Sequence, residues 1–399
     1  MVIDNGDRFV LYKTFILLGL FVLGISLSPI FLVVAAIIGM VCLSARWHYQ
    51  WIMGILFIIG MSLIYASRQV GISPFDDFSN IYYPQYLEIA SQGVFQAHFQ
   101  RFSEFSISSV EIGLPLLFGL LAFFDSSMSA NILILFLTFL GGLFYLYWVI
   151  TYVSPNLPRG KSNIALLLSL GLFSFGLCSQ LTRQMLSIPF FLMAISDKNI
   201  ARSISFLIVG SLFHIITIPL YLFAKCLEFL PKFTIVFSVV FGCIIFFYGN
   251  SIAAGILGID VGVFDKLLYY ASGNMDASDF SYRYLALPIS WVLLCLFSIK
   301  RNIVISNSFF FLMAFFYACF LVFPLLSFRI TLVVSGALMG LLIFYALMSL
   351  NNQRLQVYLA LSIVMINQSR RWIFYDHESG MSLWNTYAQI GIHPFYYLF

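Results

Sequence analysis

The chain has 399 residues, 61% of them hydrophobic and only 9% charged, with a formal net charge of +4. Soluble domains carry about 25% charged residues, so a water-facing surface is excluded for most of this chain and lipid is its solvent. The small positive charge, spread over short loops, argues against a nucleic-acid partner and fits the basic-loop bias of an inner-membrane protein.

In chain order, Met1–Lys13 is polar and carries Arg8 and Lys13. The apolar run after it shows no small-residue cleavage site, so it reads as an uncleaved first span. Thr14–Leu43 holds Ser26–Pro29 ("SLSP") at its middle and reads as two short spans with a tight turn. Trp51–Ala66 follows, then a long polar interval, residues 67–110. Apolar runs resume at Ile112–Phe124, Ala130–Tyr152, Asn163–Cys178, Gln184–Ser196, Ser203–Phe213, Ile215–Leu230 and Phe233–Gly249. A second polar interval, residues 250–282, precedes Tyr284–Ile299, Ser308–Leu326, Ile330–Leu350 and Leu355–Asn367, and a polar, aromatic tail covers 368–399. A crossing helix needs about 20 apolar residues, so this pattern predicts an all-α polytopic membrane protein of about 11–13 spans, forming one transmembrane domain over 1–399. The six cysteines form no CxxC or Cys/His cluster, which suggests neither zinc nor a disulfide framework.

Short-loop lysines and arginines set the orientation. One alternation puts Arg8, Lys13, Arg46, Arg159, Lys161, Lys198, Arg202, Lys225, Lys232, Lys300, Arg301 and Arg354 in the cytoplasm. It requires that Ile112–Phe124 does not cross and that His214 marks an outer turn. Both long polar intervals and the tail then face outward. Arg68, Arg370 and Arg371 also fall outside, against the rule, and need another explanation.

On this reading Asp76, Asp77, Glu111, Arg183, His214, Arg283 and Arg329 gather in the outer half. A charge at membrane depth costs about 2.5–3.5 kcal/mol on insertion scales, so such residues are paired or functional. Several cations beside a few carboxylates suit a diphosphate ligand and proton transfer. Each residue also has a plainer reading: loop solvation for the aspartates, a helix N-terminal partner for Glu111, snorkelling for the arginines, an interfacial histidine for His214.

Four stretches recur in the order of a known family. "RQVGISPFDDFSNIYYPQY" (Arg68–Tyr86), "EIGLPLLFGLL" (Glu111–Leu121), "LTRQMLSIPFFLMAIS" (Leu181–Ser196) and "SLFHIITIPLYLFAK" (Ser211–Lys225) resemble the motifs of EpsG/Wzy-type polysaccharide (O-antigen) polymerases. The likeness covers roughly Arg68 to Lys232. It departs from the family pattern at Met185, Leu186 and Pro189, where small residues are usual and where Pro189 predicts a kink. It is silent in the C-terminal half.

The resemblance implies a GT-C-like membrane glycosyltransferase of the bacterial inner membrane. Such an enzyme joins undecaprenyl-diphosphate-linked oligosaccharide repeats at the periplasmic face, with a possible chain-length-regulator protein as partner. In that scheme Glu111, Asp76, Asp77 and His214 are the catalytic candidates. Arg183, Arg283, Arg329 and Arg68 are expected to bind substrate, Arg183 at the diphosphate. Tyr82, Tyr83 and Tyr86 are expected to stack on sugar faces from a lid-like segment within 67–110. His214 is placed either to bond the diphosphate or to move a proton. No cofactor or metal is required, although adjacent aspartates leave one metal-holding alternative open. An O-antigen ligase-like transferase or a lipid-linked oligosaccharide flippase is the alternative function. The absence of repeated halves weighs against a transporter.

Overall fold

The structure of the chain, a computed structural model, describes residues 28–43, 46–68, 70–71, 76–101, 111–158, 160–229, 282–298, 307–319 and 331–373, with residues 19, 22, 305 and 329. The expected span Phe233–Gly249, the polar interval up to residue 281 and the tail from 374 onward lie outside them. Every regular element among the described residues is a helix.

Among the described residues, two helices are long and apolar enough to cross a membrane, Trp47–Ala66 and Ala130–Asn156, and they pack side by side. Glycines let them approach: a Cβ on Gly54 would fall 2.5 Å from a Leu146 methyl. The other apolar helices are shorter, among them Pro29–Cys42, Ser162–Leu172, Ile200–Phe213 and Val333–Leu347. Against an expectation of 11–13 spans, the described residues hold two full-length candidates and a set of shorter apolar helices.

The cause of one short helix is explicit. Asn163–Cys178, expected as a single span, is helical only over Ser162–Leu172 and resumes as Leu177–Gln180. Those 11 residues rise about 16 Å, roughly half of a hydrocarbon core. Phe173 is extended (ψ 135°) and breaks the helix. A helix end buried in apolar surroundings must find partners for its carbonyls. The carbonyl of Gly171 accepts from Asn367 Nδ2 (3.0 Å) and Gln368 Nε2 (2.7 Å). The Ser174 amide donates to the Gly336 carbonyl at 2.9 Å. Gly336 belongs to a wide, π-helical turn, Val333–Leu338, whose Ala337 carbonyl accepts from the Tyr145 hydroxyl at 2.5 Å. The two broken segments therefore satisfy each other. They also approach to backbone contact, since a Cβ on Gly340 would lie 2.1 Å from the Leu168 carbonyl oxygen.

Corners are built from short polar side chains. Ser28 caps Pro29–Cys42 by accepting from the Ile30 amide at 3.3 Å, with proline in the first turn. Asn199 caps Ile200–Phe213, accepting from Ala201 and Arg202. The helix carrying Pro189 is continuous from Thr182 to Ser196.

The interval 67–110, expected as a loop with a lid-like segment, is helical over much of its described part. Its middle folds as a π-helical turn, Phe78–Tyr82, running into Tyr83–Gln92 and then Val94–Arg101. The reason is a helical apolar stripe: Tyr82, Tyr86 and Ile89 recur at helical spacing and all are buried. With Phe78 they form a separate small core against Leu114, Phe118 and Leu121 of Gly113–Phe124 and against Leu133 and Leu137.

Replacing Gly340 by alanine pushes a methyl into the Leu168 carbonyl, and neither backbone can yield cheaply. The expected outcome is a loss of about 1–3 kcal/mol, read as a lowered thermal midpoint of the detergent-solubilised chain; an unchanged midpoint would show that the contact is not tight.

Candidate functional site

Two separate chain corners and one turn meet at the end of the bundle where Trp47–Ala66 finishes and Thr182–Ser196 begins. Glu111 sits just before Gly113–Phe124. A Cβ on Gly113 would stand 2.9 Å from the backbone C and O of Leu212, so only glycine lets this corner close on the turn that carries His214. The closeness puts the Glu111 carboxylate within reach of three donors. Oε2 accepts from Arg183 Nη1 at 2.7 Å. Oε1 lies 2.5 Å from His214 Nδ1 and accepts the Ile215 amide at 3.1 Å. The Glu111 side chain is 2% exposed, whereas those of Arg183 and His214 are 25% and 22% exposed. The carboxylate is therefore the buried holder, and the Arg183 and His214 side chains are the presented groups. Burial pushes the Glu111 pKa upward, but the His214 bond, its charge and that of Arg183 outweigh it and bring the group down from 4.5 to about 2.

The two aspartates part company. Asp76 is buried and fully occupied. Arg68 forks onto it, Nη1 to Oδ2 at 3.1 Å and Nη2 to Oδ1 at 3.2 Å. Gln180 Nε2 donates to Oδ1 at 2.8 Å and the Phe78 amide at 3.1 Å. The Arg68 guanidinium also lies 5.3 Å from the centroid of the Phe78 ring. Asp77, next in sequence, is 30% exposed and meets Arg329 Nη2 at 3.4 Å, with Arg329 itself 24% exposed. Burial raises the Asp77 pKa, and Arg329 only partly opposes it.

Tyr82 joins the two ionic groups. Its ring is buried, its hydroxyl bonds Arg183, and the charges of Asp77 and Arg329 reach the same oxygen. Of the expected residues, the structure thus brings together Asp77, Tyr82, Glu111, Arg183, His214 and Arg329, with Asp76 and Arg68 behind them. Arg68, expected to bind substrate, is buried in its pair with Asp76; that pair also accounts for an arginine standing against the orientation rule. Asp76, expected as a catalytic candidate, has its carboxylate consumed by those same donors. Tyr86 is buried, edge-on to Phe118 at 5.8 Å, and its hydroxyl bonds the Asp125 carbonyl, so its faces are closed to a sugar. Tyr83 is half-buried, stacked near-parallel with Tyr86 at 6.4 Å, and bonds the Met128 carbonyl at 3.4 Å. Arg283 lies in the helix Tyr282–Ser298, and its side chain is outside the described residues, as are those of Arg370 and Arg371.

Sequence reasoning missed Gln180 and Gln184. Gln184 Nε2 donates to the Arg329 carbonyl at 2.5 Å. Both are uncharged, so a search for charges at membrane depth passes over them; amides interrupting an apolar run are the signal that finds them. Among the described residues no three His, Cys, Asp or Glu side chains gather to hold a metal.

A profile of the EpsG family matches residues 51–388. That is most of the chain, and it extends the likeness through the C-terminal half. The chain belongs to the EpsG family, of the polysaccharide-polymerase type, and together with its apolar helices this makes it a membrane protein of polysaccharide biosynthesis. No curated protein and no solved structure matches it.

The low pKa of Glu111 has a definite sign for stability. A carboxyl depressed from 4.5 to about 2 stabilises the fold above the unfolded value, and that contribution, about 3 kcal/mol, disappears as pH falls between the two. Glu111→Gln is expected to lower the thermal midpoint at neutral pH and to flatten the acid limb of the stability profile. An unaltered acid limb would mean that the triad does not form.

Proposed function

We propose that the chain transfers a growing glycan from its undecaprenyl diphosphate to the acceptor hydroxyl of a second lipid-linked repeat, at the periplasmic face of the bacterial inner membrane. The observation that carries this reading is the buried carboxylate of Glu111, which holds both an arginine and a histidine at the exposed rim of an apolar bundle. A diphosphate leaving group needs cations already in place, where water is scarce and nothing has to reorganise. Arg183 supplies a guanidinium that cannot deprotonate, with His214 beside it. Arg329 stands on the other side of Tyr82 and completes the cationic rim.

The reaction balances as follows. The acceptor oxygen forms a bond to the donor's anomeric carbon. The carbon–oxygen bond to the diphosphate breaks, and its electron pair leaves on undecaprenyl diphosphate. The acceptor's proton goes to a base. Asp77 suits that role: it is partly exposed, beside the cations, and its raised pKa makes it a better proton acceptor than an ordinary aspartate. Glu111, paired and held at about 2, is the orienting anion and not the base. A second reading rests on the 2.5 Å contact of His214 Nδ1 with Glu111, which directs Nε2 away from the carboxylate as in nucleophile-activating dyads and lets His214 take the proton. His214→Gln keeps a hydrogen-bond donor but no base, so retained activity in that variant removes the second reading.

The positive-inside rule supports the periplasmic placement: Arg46 precedes Trp47–Ala66 and Arg202 lies in the first turn of Ile200–Phe213, each at the end of its helix away from the site.

The test is surface polysaccharide on a gel from cells lacking the gene and complemented with each variant, with membrane levels matched by blot. Arg183→Ala and Asp77→Asn are expected to leave lipid A core bearing a single repeat, a loss of ladder of at least about 100-fold in transfer rate. Naked core with accumulating lipid-linked repeats would point to the ligase or flippase alternative, and full ladders in both variants would remove the site. Asp77→Asn is further expected to raise the thermal midpoint at neutral pH, because a carboxyl whose folded pKa is raised loses stability on ionising. A lowered midpoint would contradict its placement.

A further inference from the structure

The ionic cluster is bordered by two neutral amides that its charge balance does not require. Gln180 ends the helix Leu177–Gln180 and Gln184 lies in the first turn of Thr182–Ser196, the two helices being separated by Leu181 (φ −116°, ψ 48°). Gln180 reaches the carboxylate of Asp76, the residue before Asp77, at 2.8 Å. Gln184 reaches the main-chain carbonyl of Arg329, whose side chain pairs with Asp77, at 2.5 Å. Arg183 stands between them and turns to Glu111 and Tyr82. One short corner thereby grips the backbone of the distant arginine, the segment bearing the aspartate, and the arginine of its own helix.

We infer that Gln184, with Gln180 as its counterpart on the aspartate side, is a positioning residue that sets the separation between Arg183 and Arg329; this rests on the reading of those arginines as the diphosphate clamp. The physical reason lies in the ligand. A diphosphate presents two phosphoryl groups at a fixed spacing, so two guanidiniums held at a matching spacing bind it far better than two that drift. Gln184 touches no ligand in this scheme. It holds the main chain at Arg329, a residue 145 positions away in sequence, and the amide-to-carbonyl bond is the tie between the two arginine-bearing segments.

A purely structural amide and a positioning amide make different predictions. The probe is farnesyl diphosphate, with farnesyl monophosphate as its one-phosphate comparison, titrated against the purified full-length chain in nanodiscs. Gln184→Met preserves length and removes the donor; Gln184→Glu is the near-isosteric second variant. Gln184→Met is expected to weaken the diphosphate about 10-fold and the monophosphate less than about 3-fold, because only the diphosphate senses the spacing. In an Arg329→Ala background the same change is expected to have no further effect on the diphosphate, as a residue acting through Arg329 requires. On the aspartate side, Gln180→Met is expected to slow glycan transfer in the wild type and to add nothing in an Asp77→Asn background. Equal losses for both probes, or additive losses in the double variant, would overturn the inference while leaving the diphosphate reading standing. Failure of both Gln184 variants to fold would also overturn it, making Gln184 a packing residue. Absence of any wild-type binding to farnesyl diphosphate, with folded protein, would overturn the diphosphate reading itself.

Discussion

A carboxylate withdrawn from water inside an apolar bundle survives only if its oxygens are met by donors, and Glu111 is a group that meets this constraint across distant parts of the chain. Its three partners come from two places in the sequence: Arg183 in the first turn of the Thr182–Ser196 helix, and the turn that supplies the His214 side chain and the Ile215 main chain. Removing the anion would strand a guanidinium, an imidazole and an amide together. The corner around it has been shaped to suit, with Gly113 set against the Leu212 carbonyl so that the carboxylate arrives at the turn. The end of the bundle that holds Glu111 is thus closed by electrostatics, whereas its body is closed by packing of apolar side chains.

The neighbouring aspartates show how one residue of displacement divides structure from chemistry. Asp76 is surrounded by an arginine fork, an amide side chain and a main-chain amide, so it is spent on holding the Phe78–Tyr82 turn. Asp77 carries the same functional group into a half-open setting with one long ionic contact. Burial without full compensation is the usual way a protein keeps a carboxyl close to its titrating range, and such residues concentrate where protons are moved. The buried Arg68–Asp76 pair is the foundation from which Asp77 projects.

Much of this was readable from residue types alone. In a chain with 9% charged residues every charge within an apolar run is conspicuous, and Asp77, Glu111, Arg183, His214 and Arg329 do converge. The sequence could not distinguish Asp76 from Asp77, because adjacent aspartates are almost equally near Arg68 in sequence, and the folded chain turns Arg68 and Gln180, the latter 104 positions away, onto Asp76. Nor could it show that Tyr86 faces inward: tyrosines beside aspartates suit a sugar site and a helix core equally well, and only Phe118 and the Asp125 carbonyl decide between them. The break after Leu172 was hidden for a similar reason. Asn163–Cys178 is uniformly apolar, and the side chains that make an interruption tolerable there, Asn367 and Gln368, belong to the far end of the chain.

That last arrangement bears on how the protein is made. The Gly171 carbonyl finds its partners 196 and 197 residues later in the sequence, and the Ser174 amide finds its own at Gly336. Synthesis proceeds from the N-terminus at roughly 5–20 residues per second, so the interrupted segment emerges many seconds before anything can satisfy it. During that interval its bare polar groups cannot rest in hydrocarbon without cost. The half-length helix must wait in the translocon, at the headgroup layer or against a membrane chaperone until Gln353–Ile373 arrives. The order of insertion is thereby written into the hydrogen bonds: the first half of the bundle becomes a stable membrane structure only when the last described helix is delivered to it.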